Sequence, residues 1–407
     1  MKFPRLEDVD VAGKTVLVRT DLNVPMQGGK VTNNSRIVRL LPTLNYLIKK
    51  KCRIVLLSHF DRPKGKFVPS MSLAPLVDAV SEAMDGKQIQ FGVDCIGPAA
   101  RDAVTKLKPG EIILLENLRF HPEEESGDAN FARELASLGD VFINDAFSAS
   151  HRAHASITGI AEFLPVAAGR LMEEELASIY SIFTDAKKPI TAIIGGSKVS
   201  TKLELLESLV TKVDYLIIGG AMANTFLLAQ GHSVGKSLVE ANLKTTAKRI
   251  LETAKKKKCH VILPVDVVVG ELDGKVNACI GIAHIPATQM ALDIGNETLR
   301  EICDALGKSK TVIWNGPMGL FETRPFDVST IMIAREIARL TTSGKLKSIA
   351  GGGDTVAALA IAGLGESFSY LSTAGGAFLE WLEGKTLPGI TTLIDARNDN
   401  HKTKAHA

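Results

Sequence analysis

The stretch NDAFSASHRAHAS, Asn144 to Ser156, sets His151 and His154 three residues apart around Arg152. Three chemistries fit those residue types. Two imidazoles on one face bind zinc when a carboxylate or thiolate completes the set. A lone imidazole serves as a general base near neutral pH. An arginine flanked by histidines binds an anion. Arg152 disfavours the first, because a fixed cation repels a divalent metal. The local spacing leaves the choice open, and the rest of the chain supplies the context.

Four apolar runs in the first half end in the same kind of residue. TVLVR (15–19) leads to Asp21 and Asn23, with Arg36 beyond the loop. RIVLLS (53–58) leads to His59 and Arg62, EIILLEN (111–117) to Arg119 and His121, and DVFIND (140–145) to His151, Arg152 and His154. One such charge is a solvated surface residue, whereas four at successive strand ends make a basic cradle. Guanidinium groups stay ionised at physiological pH and grip phosphate or carboxylate bidentately. The histidines therefore read as part of an anion site, with no cysteine or carboxylate cluster beside them at metal-ligand spacing.

The second half ends its runs in glycine. ITAIIGG (190–196) enters SKVSTK, YLIIGG (215–220) enters AMANTF, TVIWNGP (311–317) enters MGLFE, and KSIAGGG (347–353) enters DTVAALA. Glycine admits a ligand to the backbone and leaves N–H groups facing it. A helix opening at Gly353-Asp354-Thr355 would aim its positive end at a phosphate. Lys198 and Lys202, four apart, are expected to share a helix face there. No G-x-G-x-x-G and no G-x-x-x-x-G-K-[ST] occurs. GHSVG (231–235) has the form of a hydrolase elbow, but a helix-like NTFLLAQ precedes it where a strand is required, which argues against Ser233 as a nucleophile.

These positions need elements to hold them. The runs are continuously apolar and β-branched, as strands buried on both faces are, and they alternate with helical stretches. That predicts an α/β fold of two domains, each a parallel, Rossmann-like sheet flanked by helices. Segment 169–188, charged and amphipathic, reads as an interdomain helix, giving domains 1–168 and 189–390. HVILPVDVVV (260–269) reads as one strand. The polar tail 391–407 is free to pack back on the first domain.

With 407 residues, 45% hydrophobic and 23% charged, the chain has the profile of a globular protein with a large core. A formal net charge of +3 and 5% aromatics argue against a nucleic-acid binder. KKKK at 255–258 reads as a solvated helix face. Cys52, Cys95, Cys259, Cys279 and Cys303 are scattered without a CxxC pair, which points to reduced thiols, a cytoplasmic location and no structural zinc. The start, MKFPRLEDVD, lacks the apolar core of a signal peptide, and YLIIGGAMANTFLLA is broken by glycines and an asparagine, so no membrane span is expected.

Together VRTDLNVP, SHFDRP, ENLRFH, SHRAH, GGSKVSTKLELL, IIGGAMANTF, WNGPMGLFE, GGGDT and LEGKTLPG resemble the phosphoglycerate kinase family, in order along nearly the whole chain. The resemblance implies an enzyme of glycolysis and gluconeogenesis that moves a phosphoryl group between 1,3-bisphosphoglycerate and ADP, giving 3-phosphoglycerate and ATP with Mg²⁺, and that works as a monomer. It implies a glycerate site of Asp21, Asn23, Arg36, His59, Arg62, Arg119 and Arg152. It implies a nucleotide site of Gly196, Lys198, Lys202, Gly220, Asn315, Glu322, Gly352, Gly353, Asp354 and Thr355. Glu322 would hold the ribose hydroxyls and Asp354 the metal. Two positions depart from the family pattern: Asp61 replaces the usual glycine of SHxGRP, and Ala374 replaces glycine in STAGGA. Asp61 puts an acid beside the cradle, with slightly weaker anion binding expected, and Ala374 would stiffen a loop next to Gly375-Gly376.

The implied nucleophile is a substrate carboxylate, ionised at pH 7, so the chemistry needs no general base. Arg36, Lys198 and the helix start at Gly353 are assigned to charge on the moving phosphoryl group. Two half-sites on two domains imply closure about the linking helix, with water excluded. Two rival readings are another ATP-dependent α/β transferase acting on a phosphorylated acid and a non-enzymatic polyanion binder, the second of which leaves the glycine-rich half without a role.

Overall fold

A computed structural model describes residues 3–184, 186–372 and 374–405. Asp185, within the expected linking helix, and the last two residues of the tail lie outside the described residues. The chain divides into two compact units, Met1–Ala177 with Thr386–Ala407, and Ser178–Lys385.

In the first unit six strands form one parallel sheet in the order Ile89–Gly92, Ile112–Leu115, Arg53–Leu57, Thr15–Arg19, Val141–Asn144, Val166–Ala168. The apolar runs become strands because helices cover both faces: every residue of Thr15–Arg19, Ile112–Leu115 and Val141–Asn144 is buried. Val16, Val18, Ile54, Leu56 and Ile143 pack with Leu40 and Leu44 of helix Ser35–Lys49. The outer strands Ile89–Gly92 and Val166–Ala168 escape a periodicity reading because each is only three or four residues long.

The second unit carries another six-stranded parallel sheet, ordered His260–Ile262, Tyr215–Ile218, Ile190–Ile194, Thr311–Asn315, Lys347–Gly351, Tyr370–Ser372. The order runs outward in both directions from Ile190–Ile194 and Thr311–Asn315. That reversal is the topological switch point at which doubly wound sheets bind ligands. The run 260–269 is two strands, not one. Pro264 interrupts it, and Asp266–Gly270 joins a separate antiparallel sheet between Val276–Gly281 and Met290–Ile294. A proline removes the ladder donor that a continuous strand would need.

Helix Arg170–Thr184 occupies most of the segment expected to link the halves. Its start is held by two side chains of the first unit. The Thr43 hydroxyl accepts the Arg170 N–H at 2.8 Å, and Asp145 accepts the Met172 N–H at 2.9 Å while receiving the Thr43 O–H at 2.6 Å. Burial nonetheless pushes the Asp145 carboxyl up to about 6. The tail folds as helix Pro388–Ala405, and the Gly389 N–H donates to Ser150 O at 2.9 Å.

Candidate active site

In the first unit the strand-end loops interlock through the backbone of Asp61. Its N–H donates to Asn23 Oδ1 at 3.1 Å, and its carbonyl accepts from Arg119 Nη1 at 2.8 Å. Asp61 sits at φ 51°, in the left-handed region. That conformation is a physical reason for glycine at this position, and aspartate is among the few other residues that tolerate it. Its exposed carboxylate makes neither bond; the backbone carries both.

Asp21 is buried, and its Oδ2 lies 2.8 Å from Arg36 Nη1 and accepts from Ser148 Oγ. Burial raises this carboxyl, but Arg36, His59 and the Ser148 and Asn23 donors outweigh burial and hold it below the usual range. Arg36 also donates to Asn23 O at 2.8 Å from the first turn of helix Ser35–Lys49. His59, buried, lies among Arg19, Asp21, Arg119 and Arg36; burial first, then Arg19, drives its pKa well below the ordinary value. Arg62 and Arg152 both bear on Arg119, whose own pKa burial lowers. The structure thus brings together Asp21, Asn23, Arg36, His59, Arg62, Arg119 and Arg152.

His151 and His154 part company. Arg152 Nε lies 3.3 Å from His151 Nε2. The His154 ring is buried, its Nδ1 3.7 Å from Glu124 Oε1, and burial with Arg119 lowers its pKa to about 3. A ring kept neutral beside arginines is no base at pH 7, and the two histidines have different neighbours, His151 against Arg152 and His154 against Glu124. Two residues went unnoticed in the sequence. Arg19 is fully buried, donating to Ser156 Oγ at 2.8 Å and Thr20 O at 2.5 Å. Its signal was there: an arginine closing an otherwise apolar central strand. Glu125 Oε1 lies 3.2 Å from Arg119 Nε and 4.0 Å from Arg152 Nη1, a carboxylate occupying the cradle.

In the second unit a cavity of about 530 Å³ opens at the switch point. Gly196, Gly220, Glu322 and Asp354 line it, as do Asn224, Lys236 and Asp293, which sequence reading did not single out; Leu238, Val267 and Met318 supply apolar wall. Close packing explains the glycines. A Cβ on Gly195 would meet Pro317 O at 1.9 Å, and one on Gly352, at φ 99°, would meet Asn315 Nδ2 at 2.4 Å. Asn315 Nδ2 donates to Gly351 O at 2.7 Å, and Thr355 Oγ1 accepts the Gly316 N–H at 2.7 Å. These two residues tie the strand-end loops together. Helix Gly353–Ile361 starts at the residue expected, with Asp354 exposed in its first turn.

Lys198 and Lys202 do not share a helix face. Helix Leu203–Leu209 begins only after Lys202, and the segment before it is turn, so Lys198 is exposed on a loop. Lys202 turns inward. Its ammonium donates to Gly195 O at 2.5 Å, and burial lowers its pKa to about 8 despite Asp354 nearby. Asp293, in the cavity wall, is buried; burial pushes its carboxyl up to about 7 against donors from Ser329 and the Ile294 amide. Ser233 follows helix Ala221–Gln230 and Gly231, with no strand before it, so the elbow geometry is absent.

A two-unit α/β protein with an arginine cradle on one sheet and a glycine-walled cavity at the switch point of the other has the parts of a phosphoryl-transfer enzyme. The phosphoglycerate kinase family model matches residues 6–385. The chain is 54% identical over 395 residues to phosphoglycerate kinase of Ruegeria sp. (strain TM1040), covering 97% of this chain and 100% of that one. It is 52% identical to that of Methylorubrum extorquens (strain PA1), covering 96% and 98%. Among solved structures it is similar to phosphoglycerate kinase from Coxiella burnetii, with TM-score 0.87, 40% identity and coverage of 97% and 99%. That from Pyrococcus horikoshii OT3 gives 0.83 at 30% identity, with the same coverage. The chain belongs to the phosphoglycerate kinase family.

Proposed function

We infer that the chain reversibly transfers a phosphoryl group from 1,3-bisphosphoglycerate to ADP, giving 3-phosphoglycerate and ATP. The observation that carries the reading is the division of labour within a chain of this family: arginines converge on one sheet, and a glycine-walled cavity with apolar lining opens on the other. A polyanion binder would have no use for the second.

Arg62, Arg119, Arg152 and His59 hold the anionic groups of the glycerate, with Asp21 and Asn23 placing its hydroxyl and Arg36. Gly196, Gly220, Asn315 and Glu322 hold the nucleoside, with Lys202 and the Gly352–Thr355 helix start on its phosphates. In the ATP-consuming direction a carboxylate oxygen of 3-phosphoglycerate attacks the γ-phosphorus, and the bond to the ADP oxygen breaks. The nucleophile is already ionised, so no proton moves and no base is needed. The low pKa values of His59 and His154 suit that chemistry. Arg36, Lys198 and the Gly353 amide neutralise charge on the moving group. Asp354 fits Mg²⁺: one exposed carboxylate is the usual protein share for this hard cation, with phosphates and water completing it. Magnesium bound with the nucleotide supplies further charge neutralisation there.

Acyl phosphates hydrolyse readily, so transfer requires closure that shuts out water. The enzyme is proposed to act as a cytoplasmic monomer with no nucleic-acid or membrane partner. Among the described residues no helix is long and apolar enough to cross a membrane. An amide NMR titration tests the assignment of halves. 3-Phosphoglycerate is expected to shift resonances around Asn23, Asp61 and Arg119, and Mg-ADP those around Gly196, Gly220 and Gly353. The reverse pattern, or both ligands shifting one unit alone, would overturn it.

A further inference from the structure

His121 closes the ENLRFH motif, yet it takes no part in the site above. It turns toward Asp94, whose Oδ1 lies 2.8 Å from His121 Nε2. Cys95 follows directly, and one ligand atom each from Asp94, Cys95 and His121 lie within 4.8 Å of one another. It is the one such His/Cys/carboxylate grouping among the described residues. We propose that Asp94, Cys95 and His121 form a second cation site, separate from the nucleotide's magnesium and selective for zinc-class divalent ions.

The donor set defines the cation. One sulfur, one imidazole nitrogen and one carboxylate oxygen are the mixed ligands of Zn²⁺ and its softer relatives, and magnesium has no use for the thiol. The geometry needs little change. Tetrahedral bonds of about 2.0–2.3 Å set ligand atoms roughly 3.3–3.8 Å apart. The Asp94–His121 pair at 2.8 Å would open slightly, and the widest separation, at most 4.8 Å, would close by about an ångström.

The placement suits an open site. The Cys95 side chain is fully buried, whereas Asp94 and His121 are 43% and 27% exposed, so a cation would enter from the side of Asp94 and His121. The inner groups are held. The Cys95 N–H donates to Asp94 Oδ1 at 2.7 Å, and the His121 ring lies against Phe131 at 5.3 Å between centroids. Burial first, and then Asp94, Glu124 and Glu116, push the Cys95 thiol up, and the same three carboxylates attract a cation. Binding forms a metal–sulfur bond, and the thiol proton leaves to solvent. Sequence spacing hides the site because His121 lies far along the chain from the Asp94-Cys95 pair, brought near by the adjacent strands Ile89–Gly92 and Ile112–Leu115.

The test is a Cd²⁺ titration of the full chain after chelator treatment, read by the ultraviolet charge-transfer band of a cadmium–thiolate bond, with Zn²⁺ as competitor. A band that saturates at one equivalent, is displaced by Zn²⁺ and is lost in Cys95→Ala supports the site. Absence of the band, or its persistence in Cys95→Ala, overturns it. If Cys95→Ala does not fold, the partly exposed His121→Gln decides: Cd²⁺ affinity lowered tenfold or more supports the site, and unchanged affinity overturns it.

Discussion

Arg19 Nη2 lies 3.1 Å from His59 Nδ1, and both side chains are buried. A guanidinium only donates, so Nδ1 must accept, and the imidazole proton is fixed on Nε2. A wholly buried arginine thus sets the tautomer of a ring in the proposed glycerate site.

His59 is therefore expected to stay neutral, with the proton on Nε2, well below the pH at which a free histidine titrates. Burial and Arg19 depress its pKa. The unfolded chain takes up a proton near pH 6.5 and the folded one does not, so this group's contribution to stability is present above that pH and lost as pH falls. Nitrogen-15 spectra of the ring between pH 8 and 5 would show it. A midpoint near 6.5 would contradict the assignment.

Lys202 is expected to take up a proton when nucleotide binds. Burial lowers its folded pKa to about 8, so near that pH roughly half the molecules carry a neutral amine, and phosphate would restore the charge. Calorimetry of ADP binding at pH 8 in buffers of different ionisation enthalpy should register a fraction of a proton gained, absent in Lys202→Met. Binding with no buffer dependence would contradict it.

Glu125→Gln is expected to tighten 3-phosphoglycerate binding, because Glu125 lies against both Arg119 and Arg152. The pair is partly exposed, so screening limits the gain to roughly two- to fivefold, consistent with about 1 kcal/mol or less for such pairs. Weaker binding in the variant would show that Glu125 orders the arginines and does not compete with the ligand.

The parallel strands were legible because a strand buried on both faces reads as an unbroken apolar run. Thr15–Arg19 and Thr311–Asn315 appear where the residues place them. Pro264 divides 260–269 because it lacks the ladder donor, a break that the apolar run on either side masks. Met290–Ile294 stayed hidden because its first three residues are only partly buried, leaving a weak pattern. The charged cluster was legible from repetition at strand ends. Glu125 was not, since an acid in PEEES looks like any solvated helix start. Neither was Asp293, whose role depends on contacts with Ser329, 36 positions away. The Lys198–Lys202 helix face failed because the turn after Gly196 runs on to Lys202 before the helix begins.

We propose that Arg36 and Lys198 each neutralise charge on the phosphoryl group in transfer. The direct measurement is steady-state turnover with 3-phosphoglycerate, ATP and Mg²⁺, coupled to reduction of the acyl phosphate, for the parent chain, Arg36→Gln and Lys198→Ala. The parent should turn over, and each variant, folded by circular dichroism, should lose on the order of a hundredfold or more in kcat. A parent without turnover, or variants within about threefold of it, less than 1 kcal/mol of transition-state stabilisation, would contradict the account.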